Sequence, residues 1–210
     1  KPQPGWRVKH WCKNNSIKMY NKGSVLRVET TINNSDEFKI PASETDPSRW
    51  KRMPKGVAYF WHFYQTGREA NQRYLDALRT LPCQGKAAVE ALDSLCQSQE
   101  HQGHPVAKFQ PVDASTCQLF AAVLRGEHLL SGFRNHHIRQ ALYETPAGDE
   151  PTEHRRRARV SRLLAKLVGH GLVQRVERSH LYRVTEHGYR AMGAALRYRH
   201  IDYPANFVLA

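Results

Sequence analysis

The stretch Arg155–Val176, RRRARVSRLLAKLVGHGLVQRV, decides how this chain is read. Wound as a helix at about 100° per residue, Val160, Leu163, Leu164, Leu167 and Val168 share one face. Arg155, Arg159, Arg162 and Lys166 fall on the opposite side as a single basic stripe. Gly169-His170-Gly171 closes the helix. A short β-pattern follows, Leu172–Arg178 and Leu181–Thr185, with the turn at Ser179-His180. A helix that is apolar on one side and cationic on the other, followed by a basic hairpin, suits a nucleic-acid groove.

Working outward, the whole chain is basic. Its 210 residues carry a net charge of +13 and a pI near 9.9. Residues 1–110 hold 17 Lys/Arg against 10 Asp/Glu and residues 111–210 hold 15 against 9, so both halves are positive. A basic surface of this kind is expected to meet polyphosphate. No apolar run approaches the 18 residues a membrane helix needs, so no membrane partner is predicted. Four cysteines (Cys12, Cys83, Cys96, Cys117) stand at wide, irregular spacing, which fits a reduced, cytoplasmic protein. Cys96, His101, His104 and Cys117 offer soft ligands, but their spacing matches no zinc module, and neither metal nor cofactor is predicted. The chain begins at Lys1 with Pro2, Pro4 and Gly5 close behind, and we read it either as the C-terminal part of a longer protein, with an N-terminal domain missing, or as a trimmed form.

The expected fold class is α+β, mainly helical. Residues 1–100 read as an α+β segment, 101–112 as a linker, 113–200 as a second domain and 201–210 as a tail. In the first segment a hairpin spans residues 16–32. With its turn on Lys22-Gly23, Met19 would pair with Leu26 and Ile17 with Val28. Prolines and glycines interrupt residues 33–56. A long helix is expected over about 57–81, with Val57, Trp61, Tyr64, Asn71, Tyr74, Leu75, Leu78 and Leu81 (the last outside the residues described below) near one inward stripe and Gly67 as a kink point. A shorter helix covers 86–96. In the second domain Asp113 can cap a helix Ala114–Arg125, and Asn135 a helix His136–Tyr143. The loop Glu144–Pro151 leads into the basic helix, and a last helix runs from Glu186 to roughly Arg199.

The segments SRLLAKLVGHGLVQRV (Ser161–Val176) and YRVTEHGYRAM (Tyr182–Met192) resemble MarR-like bacterial winged helix-turn-helix regulators. In such families a Leu-x-x-x-Gly-Leu-Val step leaves the recognition helix and a Thr-x-x-Gly step opens the last helix. The resemblance covers about Val112–Arg199. It implies double-stranded DNA as partner, with Arg155, Arg159, Ser161 and Arg162 toward the major groove; Arg156 and Lys166 are further DNA-binding candidates on the same helix. Arg175, Arg178, His180 and Arg183 would then lie in a wing near phosphates or the minor groove. It also implies a homodimer through long flanking helices, although the final helix here is short before Pro204. The N-terminal segment NSIKMYNKGSVLRVETTINN (Asn15–Asn34) is similar to uncharacterised bacterial proteins of mobile-element type.

Lys18, Tyr20, Lys22 and Arg27 on the hairpin form a secondary nucleic-acid contact candidate. Tyr20 with Lys18 and Glu29 could in principle act as a nucleophile, but a salt-bridged strand face is the preferred reading. No P-loop, HExxH, GxSxG or EF-hand pattern occurs, so no catalytic residue is assigned. The aromatic run Tyr59, Phe60, Trp61, Phe63 and Tyr64 is read as packing against the missing region, with base stacking as the other option. The expected function is therefore DNA binding, as a transcription regulator or a targeting domain. The alternatives are a fragment of a transposase or replication enzyme with its chemistry elsewhere, and an RNA-binding protein.

Overall fold

The structure, a computed structural model, describes residues 7–22, 25–42, 49–80, 85–177 and 179–202. It is a mixed α+β fold. In chain order, the strands β1 (Arg7–Cys12), β2 (Asn15–Lys22), β3 (Val25–Thr31), β4 (Lys39–Pro41) and β5 (Trp50–Arg52) precede the helices α1 (Phe60–Thr80) and α2 (Lys86–Leu95). A small hairpin, β6 (Gln99–His101) and β7 (His104–Val106), leads to α3 (Ala114–Val123), α4 (His128–Ser131), α5 (Asn135–Leu142) and α6 (Glu150–Gly169). The strands β8 (Val173–Arg175) and β9 (Tyr182–Val184) and helix α7 (Glu186–Arg197) complete the order, with a π turn over Tyr198–Asp202. Among the described residues no helix is long and apolar enough to cross a membrane.

Two compact units form: Lys1–Asp76 with Gly126–Ser131, and Ala77–Arg125 with Gly132–Ala210. The boundary is therefore not the polar stretch 101–112. Gln102 and Gly103 both take positive φ (53° and 77°), which turns the chain tightly and makes residues 99–106 a hairpin instead of a linker. Phe109, just beyond it, is buried in the core of the second unit.

In the first unit β1, β2 and β3 form an antiparallel sheet in that order. The observed register pairs Met19 with Val28, Asn21 with Leu26 and Lys22 with Val25, a shift of two residues from the expected pairing. Because side chains alternate with period two, the shift leaves every residue on its expected face. The third strand is supplied by β1, where Val8, His10 and Cys12 stand opposite Met19, Ile17 and Asn15. Ile17 and Met19 are buried on this inner face. Thr30 donates to Asn71 Oδ1 (2.9 Å), and His10 Nε2 shares a hydrogen bond with the Tyr74 hydroxyl (3.1 Å), so α1 lies on the same face. Arg73 ties down the inserted segment by donating to the carbonyls of Leu129 (3.1 Å) and Leu130 (2.9 Å).

Helix α1 runs unbroken through Gly67, but its inward stripe differs from the expected one. Ala70, Tyr74 and Ala77 are buried, while Val57, Trp61 and Tyr64 are exposed. The buried stripe thus keeps Tyr74 of the expected one and replaces its larger N-terminal members with alanines.

The second unit is built around Phe120, Phe133, Ile138, Leu164, Leu167, Leu172 and Met192. Ala91 and Leu95 of α2 belong to this core, which is why residues 86–96 leave the first segment. Asp113 caps α3 as expected, accepting from Ser115 N (3.0 Å) and Thr116 N (3.2 Å). Asn135 does not cap α5. It lies inside the helix, and Arg134 holds the cap position. Between α3 and α5, Phe133 forms a bridge with Tyr182 of β9.

The exit from α6 is a single joint. Gly169 ends the helix, His170 caps it, Gly171 follows at φ 66°, and Gly171 N and Leu172 N donate to Val168 O and Leu167 O (2.9 Å each). This is the Schellman arrangement that a glycine makes possible. Thr185 then caps α7 by accepting from Gly188 N (2.9 Å) and donates its hydroxyl to Gly171 O (2.7 Å). A Cβ on Gly188 would lie 1.9 Å from Leu172 O. The two motifs picked out in the sequence, Gly171-Leu172-Val173 and Thr185-x-x-Gly188, are thus two halves of one contact.

Candidate nucleic-acid interface

Helix α6 begins five residues earlier than its basic pattern indicates. The Asp149 carboxylate accepts from Thr152 N (2.6 Å) and caps the helix. Pro151 sits in the first turn, where a proline costs no hydrogen bond. At about 1.5 Å per residue, its 20 residues form a rod roughly 30 Å long.

One side of this rod is fixed to α5. Asn135 Nδ2 donates to Arg157 O (3.1 Å) and to Ser161 Oγ (2.9 Å). Arg139 bonds Asn135 Oδ1 (3.1 Å) and forms an ion pair with Glu153 (2.8 Å). The hydroxyl of Ser161 is exposed yet already engaged in this seam.

The expected basic stripe divides. Arg155, Arg159 and Arg162 are exposed, and Arg155 donates to Thr152 Oγ1 (3.0 Å). Lys166 leaves the stripe: it donates to Lys108 O (2.9 Å), and its Nζ stands 3.9 Å from the Phe109 ring centre. Partial burial there pushes its pKa down. Arg156 is also spoken for, lying 4.5 Å over the Tyr143 ring and donating to Thr145 O (2.7 Å) in the loop before α6. Arg157, absent from the expected set, is exposed. Its signal was the run RRRAR, since consecutive arginines on a helix point in several directions. Among the described residues, the side chains of Arg157, Arg159 and Arg162 make no hydrogen bond or ion pair.

The hairpin β8–β9 is shorter than expected because its turn is braced from within. Arg175 Nε donates to Ser179 O (2.9 Å), with Nη2 3.4 Å from His180 Nδ1. The Ser179 hydroxyl donates to Val176 O (2.9 Å) and accepts from Leu181 N (3.1 Å). His180 is exposed at this turn, and Arg178 lies outside the described residues. Arg183 is half-buried, and its Nε is buried without a hydrogen-bond partner among the described residues.

On the sheet of the first unit, Lys18, Tyr20 and Arg27 converge on Glu29. Lys18 Nζ lies 2.8 Å and Arg27 Nη2 3.7 Å from its carboxylate, and the Tyr20 hydroxyl donates to it. Lys22 pairs with Val25 through its backbone, and its side chain lies outside the described residues. The hydrogen bonds from Lys18 and Tyr20 hold the Glu29 carboxyl low, and the same bond pushes the Tyr20 phenol up. A nucleophilic tyrosine needs the reverse, a phenol eased toward its anion. Cys117 is buried and donates to Pro111 O (3.2 Å), while His101 pairs with His104 across β6–β7. Among the described residues no three His, Cys, Asp or Glu side chains gather as a metal site would require.

Compared with protein-family models, curated proteins and solved structures, the chain matches none.

Proposed function

We propose that residues 113–200 form a winged helix-turn-helix that binds double-stranded DNA, with α6 in the major groove and the β8–β9 hairpin along the backbone. The order α3, a bridging residue at Phe133, α5, α6, β8–β9 supports this reading, as does the pairing of Phe133 with Tyr182. The observation that carries it is the set of exposed arginines on α6, Arg157, Arg159 and Arg162, whose side chains are unpaired among the described residues. A guanidinium without an internal partner can bind guanine edges or phosphate without first breaking a bond in the protein. Lys166 and Arg156 drop out of the contact set, each being committed to its own packing. His180 and the hairpin arginines would meet phosphate.

The proposal concerns docking and applies equally to a regulator and to a targeting domain. A reduced, cytoplasmic setting is part of the same proposal. The test is binding of the chain to a short duplex over a salt series. Four to six neutralised phosphates give a slope of log K against log [salt] of about −4 to −5. A flat salt dependence, or no duplex binding at low salt, overturns the proposal.

A further inference from the structure

We propose that the outer face of the β1–β2–β3 sheet binds single-stranded DNA. The register arranges this face in three rows. Arg7, Tyr20 and Arg27 lie side by side in the first, Lys9, Lys18 and Glu29 in the second, and Trp11, Ser16 and Thr31 in the third. Four cations thus share a face with one carboxylate. Trp11 is 56% exposed, although an indole is among the side chains water disfavours most. Lys9 Nζ stands 3.7 Å from its ring centre, and Lys18 Nζ 5.2 Å from that of Tyr20.

An exposed aromatic beside cations at strand spacing is what base stacking with phosphate contact requires. Trp11 and Tyr20 stand two rows apart, about 13 Å along the strands at their usual rise. Bases stacked on these two rings would hold the intervening backbone over Lys9 and Lys18. The flat face of a sheet fits a splayed strand better than the convex surface of a duplex. DNA is favoured over RNA by the state of Glu29. It is the one carboxylate on this face among the described residues, it could accept from a 2′-hydroxyl, and it is already occupied by Lys18, Tyr20 and Arg27.

This surface was only partly visible in the sequence. Lys18, Tyr20 and Arg27 were singled out there, while Arg7, Lys9 and Trp11 join them only because β1 pairs with β2. The proposal stands apart from the duplex reading, since none of its residues lies on α6 or the β8–β9 hairpin.

The test uses the full chain and a fluorescein-labelled 15-mer of deoxythymidine, followed by anisotropy. Trp11→Ala should weaken binding about 5- to 100-fold, the range seen for loss of one stacking aromatic. Trp11→Phe should restore most of it, which separates stacking from a folding defect. Lys9→Ala should reduce both affinity and salt dependence, and Arg162→Ala should leave affinity for this probe unchanged. Unchanged binding by Trp11→Ala overturns the proposal. Failure of Trp11→Phe to recover, or loss of binding only with the α6 variant, does so too. Tighter binding of an oligouridine 15-mer by the parent protein would assign the face to RNA and overturn the DNA commitment.

Discussion

The exposed side of α6 and the outer face of the β1–β3 sheet are both basic, but they hold their charges differently. On the sheet, Lys18, Arg27 and the Tyr20 hydroxyl are drawn together by Glu29. On α6 the nearby carboxylate of Glu153 is taken by Arg139 of α5, and Arg157, Arg159 and Arg162 have no side-chain hydrogen bond or ion pair among the described residues. Such exposed pairs contribute little to stability, yet they decide which cations are free when a polyanion arrives. Net charge does not distinguish the two faces; the placement of two glutamates does.

The strongest way to break the comparison is to dismantle the joint that holds α6 and its hairpin. Gly188→Ala brings a Cβ to within 1.9 Å of Leu172 O, a backbone atom with no free side chain to give way. We expect a loss of about 3 kcal/mol, read from denaturant unfolding, with duplex affinity falling alongside. A loss below about 1 kcal/mol would mean that the α7 entry can shift, and that the Thr185–Gly188 contact does not fix the hairpin.

A smaller change sharpens the comparison from the other side. Glu29→Gln removes the one carboxylate from the sheet face and should make it resemble α6. Spectrophotometric titration should show the Tyr20 phenol moving down toward its ordinary value. Affinity for the single-stranded probe should rise by no more than about threefold, because the broken pairs are exposed. An unchanged phenol titration would remove Glu29 as the organiser of that face.

The smallest effect concerns acid. His170 is buried beside Phe109, and burial lowers its pKa despite a hydrogen bond to Ala107 O (3.0 Å). The unfolded chain therefore takes up a proton first as pH falls below the ordinary value of 6.5. Stability associated with neutral His170 is complete above that pH and declines below it until the folded pKa is passed. His170→Gln should flatten the loss of stability as pH falls below 6.5. An identical acid profile in the variant would show that other groups set it.

Much of the second unit was legible because its signals are local. The apolar stripe of α6, the Asp113 cap and the Gly171 exit each depend on neighbours within a few residues. The start of α6 was missed because Pro151 reads as loop when a first-turn proline is equally consistent with a helix. The inward face of α1 was misread because Trp61 and Tyr64 offer far more apolar area than Ala70 and Ala77, yet the two alanines are buried and the two aromatics exposed. The fate of Lys166 could not be read at all, since Phe109 lies 57 positions away in the chain. Arg7, Lys9 and Trp11 were invisible as a surface for the same reason. Only strand pairing puts them beside Lys18 and Tyr20.

The most direct test of the central claim is the salt dependence of duplex binding by the parent, by Arg157→Ala/Arg159→Ala/Arg162→Ala, and by Lys166→Ala. The parent slope of log K against log [salt] should be about −4 to −5, and the triple variant should be shallower by about 2 to 3. Lys166→Ala should keep the parent slope, since its ammonium is held by Lys108 O and Phe109. A triple variant with the parent slope, or a Lys166→Ala variant as shallow as the triple, would contradict the placement of α6 on DNA.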